Sequence, residues 1–305
     1  MEKKQIKING KITVEIKING GLFWKAGGPE PTEPNKLVYS ANAAGSKLTV
    51  NGQSVTLEQG ENIVLDYPNE ITSVTAAFNN ALTAITIPNT VTSIGDIAFR
   101  SCSSLTSISI PNSVTSIGNS AFIYCEALTS ITIPDGVTSI GSSTFEECTA
   151  LASVTLPESV TSIGDSAFSS CSSLTSISIP NSVTSIGNSA FSRCSSLTSI
   201  NIPNSVTSIG KYLFFKCSSL ASINIPDGVT SIGQSAFEEC SKLTSIIIPE
   251  GVTNIDYRAF ANCSKLSNFN YNGTKAQWAS ITKGTNWKYN AGFSKVHCTD
   301  GDVNI

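Results

Sequence analysis

The sequence predicts a repeat solenoid, wound as a coil of parallel strands and short helical turns, with a β-rich cap at the N-terminal end and a small cap at the other. Three observations predict it. A leucine recurs every 23 residues, at Leu82, Leu105, Leu128, Leu151, Leu174, Leu197, Leu220, Leu243 and Leu266, with no insertion or deletion between them. Each leucine opens the same apolar spacing, as in Leu174, Ile177 and Ile179, and a proline such as Pro180 ends it. A phenylalanine and a cysteine return with the same period, from Phe99 and Cys102 to Phe260 and Cys263. A fixed period in the twenties marks stacked coils, because so short a unit cannot bury its apolar face alone and must cover it with its neighbours.

Within one unit, Leu174 to Ile179 reads as a short strand with one face inward, stopped by Pro180. Val183 and Ile186 form a second apolar pair, and Gly187 then punctuates the chain, as expected of a residue that supplies a turn conformation others resist. Ala190, Phe191 and Cys194 have the spacing of one helical turn, too short to stand without packing. The recurring phenylalanines read as an aromatic spine inside the coil. The pattern Leu-x-x-Ile-x-Ile-Pro-x-x-Val-x-x-Ile-Gly-x-x-Ala-Phe-x-x-Cys closely resembles the BspA-type leucine-rich repeat, over eight full copies between residues 82 and 265. That resemblance implies a right-handed, curved leucine-rich-repeat solenoid with a parallel sheet. It also implies adhesion or other protein contact without catalysis, and a place outside the cell or on its surface. Asp256 departs from the pattern, standing where the other units carry glycine, so the last full unit is expected to turn differently.

Residues 1–27 read as strands around Asn9-Gly10 and Asn19-Gly20, a strong hairpin signal between alternating apolar residues. Residues 28–36 are rich in proline and glycine and read as a linker. From 37 to 81 a second strand pair around Asn51-Gly52 and a partial unit (Ile71, Val74, Phe78) read as the N-terminal cap that hides the open edge of the first coil. After Leu266 the repeat fades into a C-terminal cap, 266–305. Thr274 is placed to cap a short helix holding Ala276, Trp278 and Ile281, and Trp287 with the strand KVHC closes the stack. The sharper alternative for this tail is a separate ligand-binding module.

With 40% apolar residues in 305 the chain can bury a substantial core, while 13% charged residues and a net charge of −3 give no general attraction to nucleic acid. No apolar run is long enough for a membrane span, and the start MEKKQIKING lacks the apolar stretch of a secretory signal. The chain is therefore read either as trimmed or as leaving its cell another way, for instance in a phage particle. The eight in-register cysteines would stack about 4.8 Å apart. That spacing brings the sulfurs near each other, but parallel Cβ atoms at it are wide for a disulfide, so buried free thiols are expected. His297 and Cys298 are adjacent in a strand and face opposite ways, with no orienting carboxylate evident. No phosphate loop or zinc spacing occurs, so neither an enzyme nor a cofactor is expected.

A repeat protein differs from unit to unit where it meets a partner. The outward strand positions barely vary (Thr175, Ser176, Ser178; Thr198, Ser199, Asn201), a carpet of small polar groups without an anchor. Variation gathers at the Gly-x-x-Ala-Phe-x-x-Cys corner. There Arg193, Lys211, Tyr212, Phe215, Lys216 and Tyr257 are expected to form a basic, aromatic patch bordered by acidic pairs, with Arg193 beside Lys216. The plain alternative is a loop edge that tolerates drift. Two functions follow: a non-enzymatic binding or adhesion scaffold contacting host matrix or cell-surface proteins, or a structural spacer of an envelope or phage particle attached through its N-terminal hairpin.

Overall fold

Each unit makes one coil, and its two short extended segments lie level with those of the next coil, parallel and one repeat apart, although regular pairing in the first ladder lapses at 174–179, where a strand was expected. This is seen in a computed structural model, which describes residues 4–8, 11–18, 21–23, 36–66 and 70–305. In the first ladder Ile85 lies level with Ile108, Ile131 with Val154, Ile223 with Ile246 and Ile246 with Phe269. In the second Ile94 lies level with Ile117, Ile140 with Ile163, Ile163 with Ile186 and Ile232 with Ile255. The eight inward positions of the unit beginning at Leu174 are all buried. The phenylalanines stack as read, Phe99 on Phe122 at 5.3 Å between ring centroids and so on to Phe237 on Phe260 at 5.2 Å. Offset stacking of this kind contributes about 0.5–1.5 kcal/mol per pair beyond the burial itself.

The corner holds turns where a helical turn was expected. Ser192 N donates to Ser189 O and Cys194 N to Phe191 O, but Phe191 N donates to Leu213 O and Arg193 N to Phe215 O of the next coil. Alternate amides are thus spent on the neighbour, which a helix would not allow. Ser189 (φ +58°) and Arg193 (φ +59°) make this possible by adopting the left-handed region, as do their equivalents in the other repeats.

Glycine in the repeat has a different role from the one expected. Gly187 is not left-handed; a Cβ there would lie 2.4 Å from Asp165 N and 2.6 Å from Gly164 C, so glycine permits two coils to approach backbone to backbone. Asp256 does not alter the turn as expected. Its amide donates to Ile232 O at 2.9 Å, as Gly233 N donates to Ile209 O at 2.8 Å, and Arg258 keeps the left-handed φ of +56°. Asp256 also meets a local need. In earlier coils the amide after this glycine is served from the coil before, as Asn188 N donates to Asp165 Oδ1 and Lys211 N to Asn188 Oδ1. Gln234 stands in that acceptor position below Tyr257, and Asp256 Oδ1 accepts from Tyr257 N at 2.7 Å instead.

The cysteines are free and form a donor ladder: Cys194 Sγ donates to Phe168 O at 3.1 Å and Cys217 Sγ to Phe191 O at 3.1 Å, one coil back each time. The outward threonines are likewise employed, Thr198 Oγ1 donating to Thr175 O at 3.2 Å.

Lys36–Ala41 runs antiparallel to both Gly60–Asp66 and Leu82–Thr86, covering the open edge of the first ladder. Lys47–Val50 turns at Asn51-Gly52, where both φ angles are positive, into Gln53–Thr56, and it also pairs with Val74–Thr75. Lys4–Ile8, Lys11–Ile18 and Gly21–Phe23 pair antiparallel in sequence order. Their connecting turns, and the proline-rich stretch up to residue 35, lie outside the described residues.

At the other end the repeat does not fade. Leu266, Phe269 and Tyr271 continue the inward row, and the helix Lys275–Ser280 is inserted behind the Thr274 cap, whose capping box is completed by Gln277. Thr282–Lys283 then rejoins the second ladder beside Asn254–Ile255. Asn286 and Asn290 take the two left-handed positions, making a ninth coil. Lys295–Cys298 follows the first ladder and pairs with a last strand, Gly301–Asn304, that was not foreseen.

Candidate protein-contact edge

Because equivalent residues stack, the corner presents columns of side chains along the coil axis. The residue before each cysteine makes one column: Tyr124, Glu147, Ser170, Arg193, Lys216, Glu239. The residue after each phenylalanine makes another: Arg100, Ile123, Glu146, Ser169, Ser192, Phe215, Glu238. These positions tolerate variation because their backbone, not their side chain, carries the inter-coil bonds.

The structure places Arg193 on the coil adjoining Lys216, and both line an open groove of about 760 Å³ with Glu239, Asn262, Asn290 and a row of serines. Tyr212 and Phe215 meet edge to face at 5.7 Å, and Lys216 Nζ lies 5.2 Å from the centre of the Phe215 ring. Arg193 is exposed, whereas Lys216 also reaches Glu239 at 3.6 Å, so part of its charge is answered within the chain. Gln234 Nε2 donates to the Tyr212 hydroxyl at 2.6 Å and holds that ring in place. Lys211 and Tyr257 sit two coils apart in the column beside the glycines, both exposed, with Gln234 between them. Four of the six residues are therefore brought together, and Lys211 and Tyr257 flank them.

Several features escaped the sequence reading. Glu238 is buried and paired with Arg258 at 3.1 Å, a contact between neighbouring columns that only the coil's turn geometry reveals. Phe78, 66% exposed, lies under the Arg100 guanidinium at 5.3 Å. His297 Nδ1 is 2.8 Å from Asp302 Oδ1, so an orienting carboxylate does exist, supplied by the unforeseen last strand. The His297 contact holds the Asp302 carboxyl below its ordinary range, while burial pushes the Cys298 thiol up, away from the thiolate form a nucleophile needs.

Parallel ladders opened by leucine, an aromatic spine and a corner where variation gathers define a solenoid of the leucine-rich-repeat class. The chain belongs to the BspA type of that class: residues 70–195 and 161–282 match the BspA type leucine rich repeat region, in 6 copies. A leucine-rich repeat protein from Bacteroides ovatus is 30% identical, with a TM-score of 0.60, over 84% of this chain and 70% of its own. One from Eubacterium ventriosum is 24% identical, with a TM-score of 0.53, over 72% and 68%. A leucine rich cell surface protein from Faecalibacterium prausnitzii is 25% identical over 85% and 99%, with a TM-score of 0.32. No curated protein matches the chain. Leucine-rich repeats are in general protein-binding scaffolds without catalytic activity. Among the described residues no helix is long and apolar enough to cross a membrane.

Proposed function

We propose that this chain is a non-enzymatic binding scaffold at a bacterial cell surface, contacting host or neighbouring cell-surface proteins through the corner around Arg193, Lys211, Tyr212, Phe215, Lys216 and Tyr257. The surface location rests on family resemblance. The contact assignment rests on one observation: Tyr212, Phe215 and Lys216 pack against one another beside the exposed Arg193, and no other full repeat joins two aromatic rings and a cation at these three positions. Aromatic rings with cations are the residues that dominate interfaces.

The same observation supplies a conservative test. Ser189, Ser192 and Ser170 occupy the columns of Tyr212, Phe215 and Lys216, so the triple variant Y212S/F215S/K216S uses residues the solenoid already holds there. Partners captured from extracellular matrix and from surface extracts of neighbouring bacteria are expected to be lost from the variant while its thermal unfolding is little changed. Equal capture by both proteins would sink the assignment.

A further inference from the structure

Some charges of the two variable columns form no ion pair among the described residues, and the order of the columns along the stack is self-complementary. Neither Arg193 nor Glu147 forms an ion pair among the described residues, and the two lie two coils apart, on either side of the Ser169–Ser170 corner. We propose that this edge is the interface of a two-fold symmetric dimer, two copies of this chain lying antiparallel with the axis through the Ser169–Ser170 corner. The proposal rests on reading this edge as a contact surface, and it names a second copy of the chain as its occupant.

A two-fold axis pairs positions equally far above and below it, each contact occurring twice. About the Ser170 coil, Glu147 comes level with Arg193 of the second copy. One coil further out Tyr124, 40% exposed, meets Lys216, and Ile123 meets Phe215. Two coils beyond the Glu147 level Arg100 lies opposite the Glu238 position, which contributes nothing direct because that carboxylate is buried under Arg258. Small serines at the axis let the two corners approach. The paired stretch covers six coil steps, about 29 Å at the spacing of neighbouring strands, and nowhere opposes like charges.

Registers displaced by a whole coil lack this property. With the axis moved one coil toward the N-terminus, Glu146 and Glu147 each face their own copies. Moved one coil the other way, Arg193 faces Arg193 and Glu147 faces Glu239. Like charges directly opposed across an interface select against those arrangements.

The test is the molar mass of the full chain by light scattering or sedimentation. Positions 147 and 193 are both left-handed (φ +60° and +59°) and already hold both charge signs among their equivalents, so Glu147→Arg and Arg193→Glu fit the backbone. The unmodified chain is expected to dimerise, and each single variant to weaken the dimer by about tenfold or more. Mixing the two variants should give a one-to-one dimer, since each then presents to the other the charge it needs. A monomeric unmodified chain, or a dimer indifferent to both substitutions, would overturn the proposal. If in that case Y212S/F215S/K216S still lost a captured foreign partner, the contact edge would stand without the dimer; if it did not, both readings would fall.

Discussion

Eight cysteines in register invite a disulfide reading, yet each thiol is enclosed by neighbouring coils and spends its hydrogen on a backbone carbonyl, that of Ala76 for Cys102 and of a phenylalanine for the other seven. Burial pushes the thiols of Cys148, Cys194 and Cys263 up to about 12 from an ordinary 9.0. The folded chain then holds these protons more tightly than the unfolded one. Their contribution is complete below about pH 9 and drains away as the pH rises toward 12. The urea midpoint should accordingly fall once the pH passes 9, and at neutral pH a thiol reagent should reach the half-buried Cys298 well before the other eight. A midpoint flat across the alkaline range, or equal labelling of all nine, would contradict this. That the thiols are free was legible from the spacing of stacked Cβ atoms. Their donation to Phe carbonyls was not, because it depends on a lateral offset that a one-dimensional period does not carry.

At the scale of the element, the corner was misread as helix for an identifiable reason. Ala-Phe-x-x-Cys has helical spacing, but the left-handed residues that break the helix are most often serine, with tyrosine, arginine, lysine, glutamate and one isoleucine, and of those in the eight full repeats only Asn262 announces that conformation. The cost of about 1–2 kcal/mol for each such residue is offset by the inter-coil amide bonds it permits. Glycine was misread in the opposite sense, as a source of conformational freedom when its use is spatial. Two substitutions separate these accounts. Gly187→Ala places a methyl group against Asp165 N and is expected to cost about 1–3 kcal/mol. Gly95→Ala meets nothing within 4 Å and should be neutral or stabilising by up to about 1 kcal/mol. Equal losses in urea unfolding would show that backbone conformation, not coil spacing, sets the requirement.

For the whole molecule, stability built from contacts between neighbouring coils implies that coils can be counted in or out. Deleting residues 151–173, one full period, should leave a folded chain whose urea m-value is smaller in proportion to the surface removed, and an unfolded product would refute this. The architecture was legible because every inter-coil contact repeats the 23-residue period. Columns of side chains follow from the period too, which is why the neighbourhood of Arg193 and Lys216 could be read. The pairing of Glu238 with Arg258, or of His297 with Asp302, could not, since these depend on the local path of a turn and on a strand outside the repeat. The side-chain bonds between coils also have a direction. Cys125 donates to Phe99, Thr129 to Thr106 and Ser182 to Val160, always toward the coil made earlier. During synthesis each emerging coil therefore brings its side-chain donors to acceptors already waiting on a finished surface. The corner amides run the other way, Phe191 N to Leu213 O and Arg193 N to Phe215 O, so the coil made last keeps that edge open until the next one arrives.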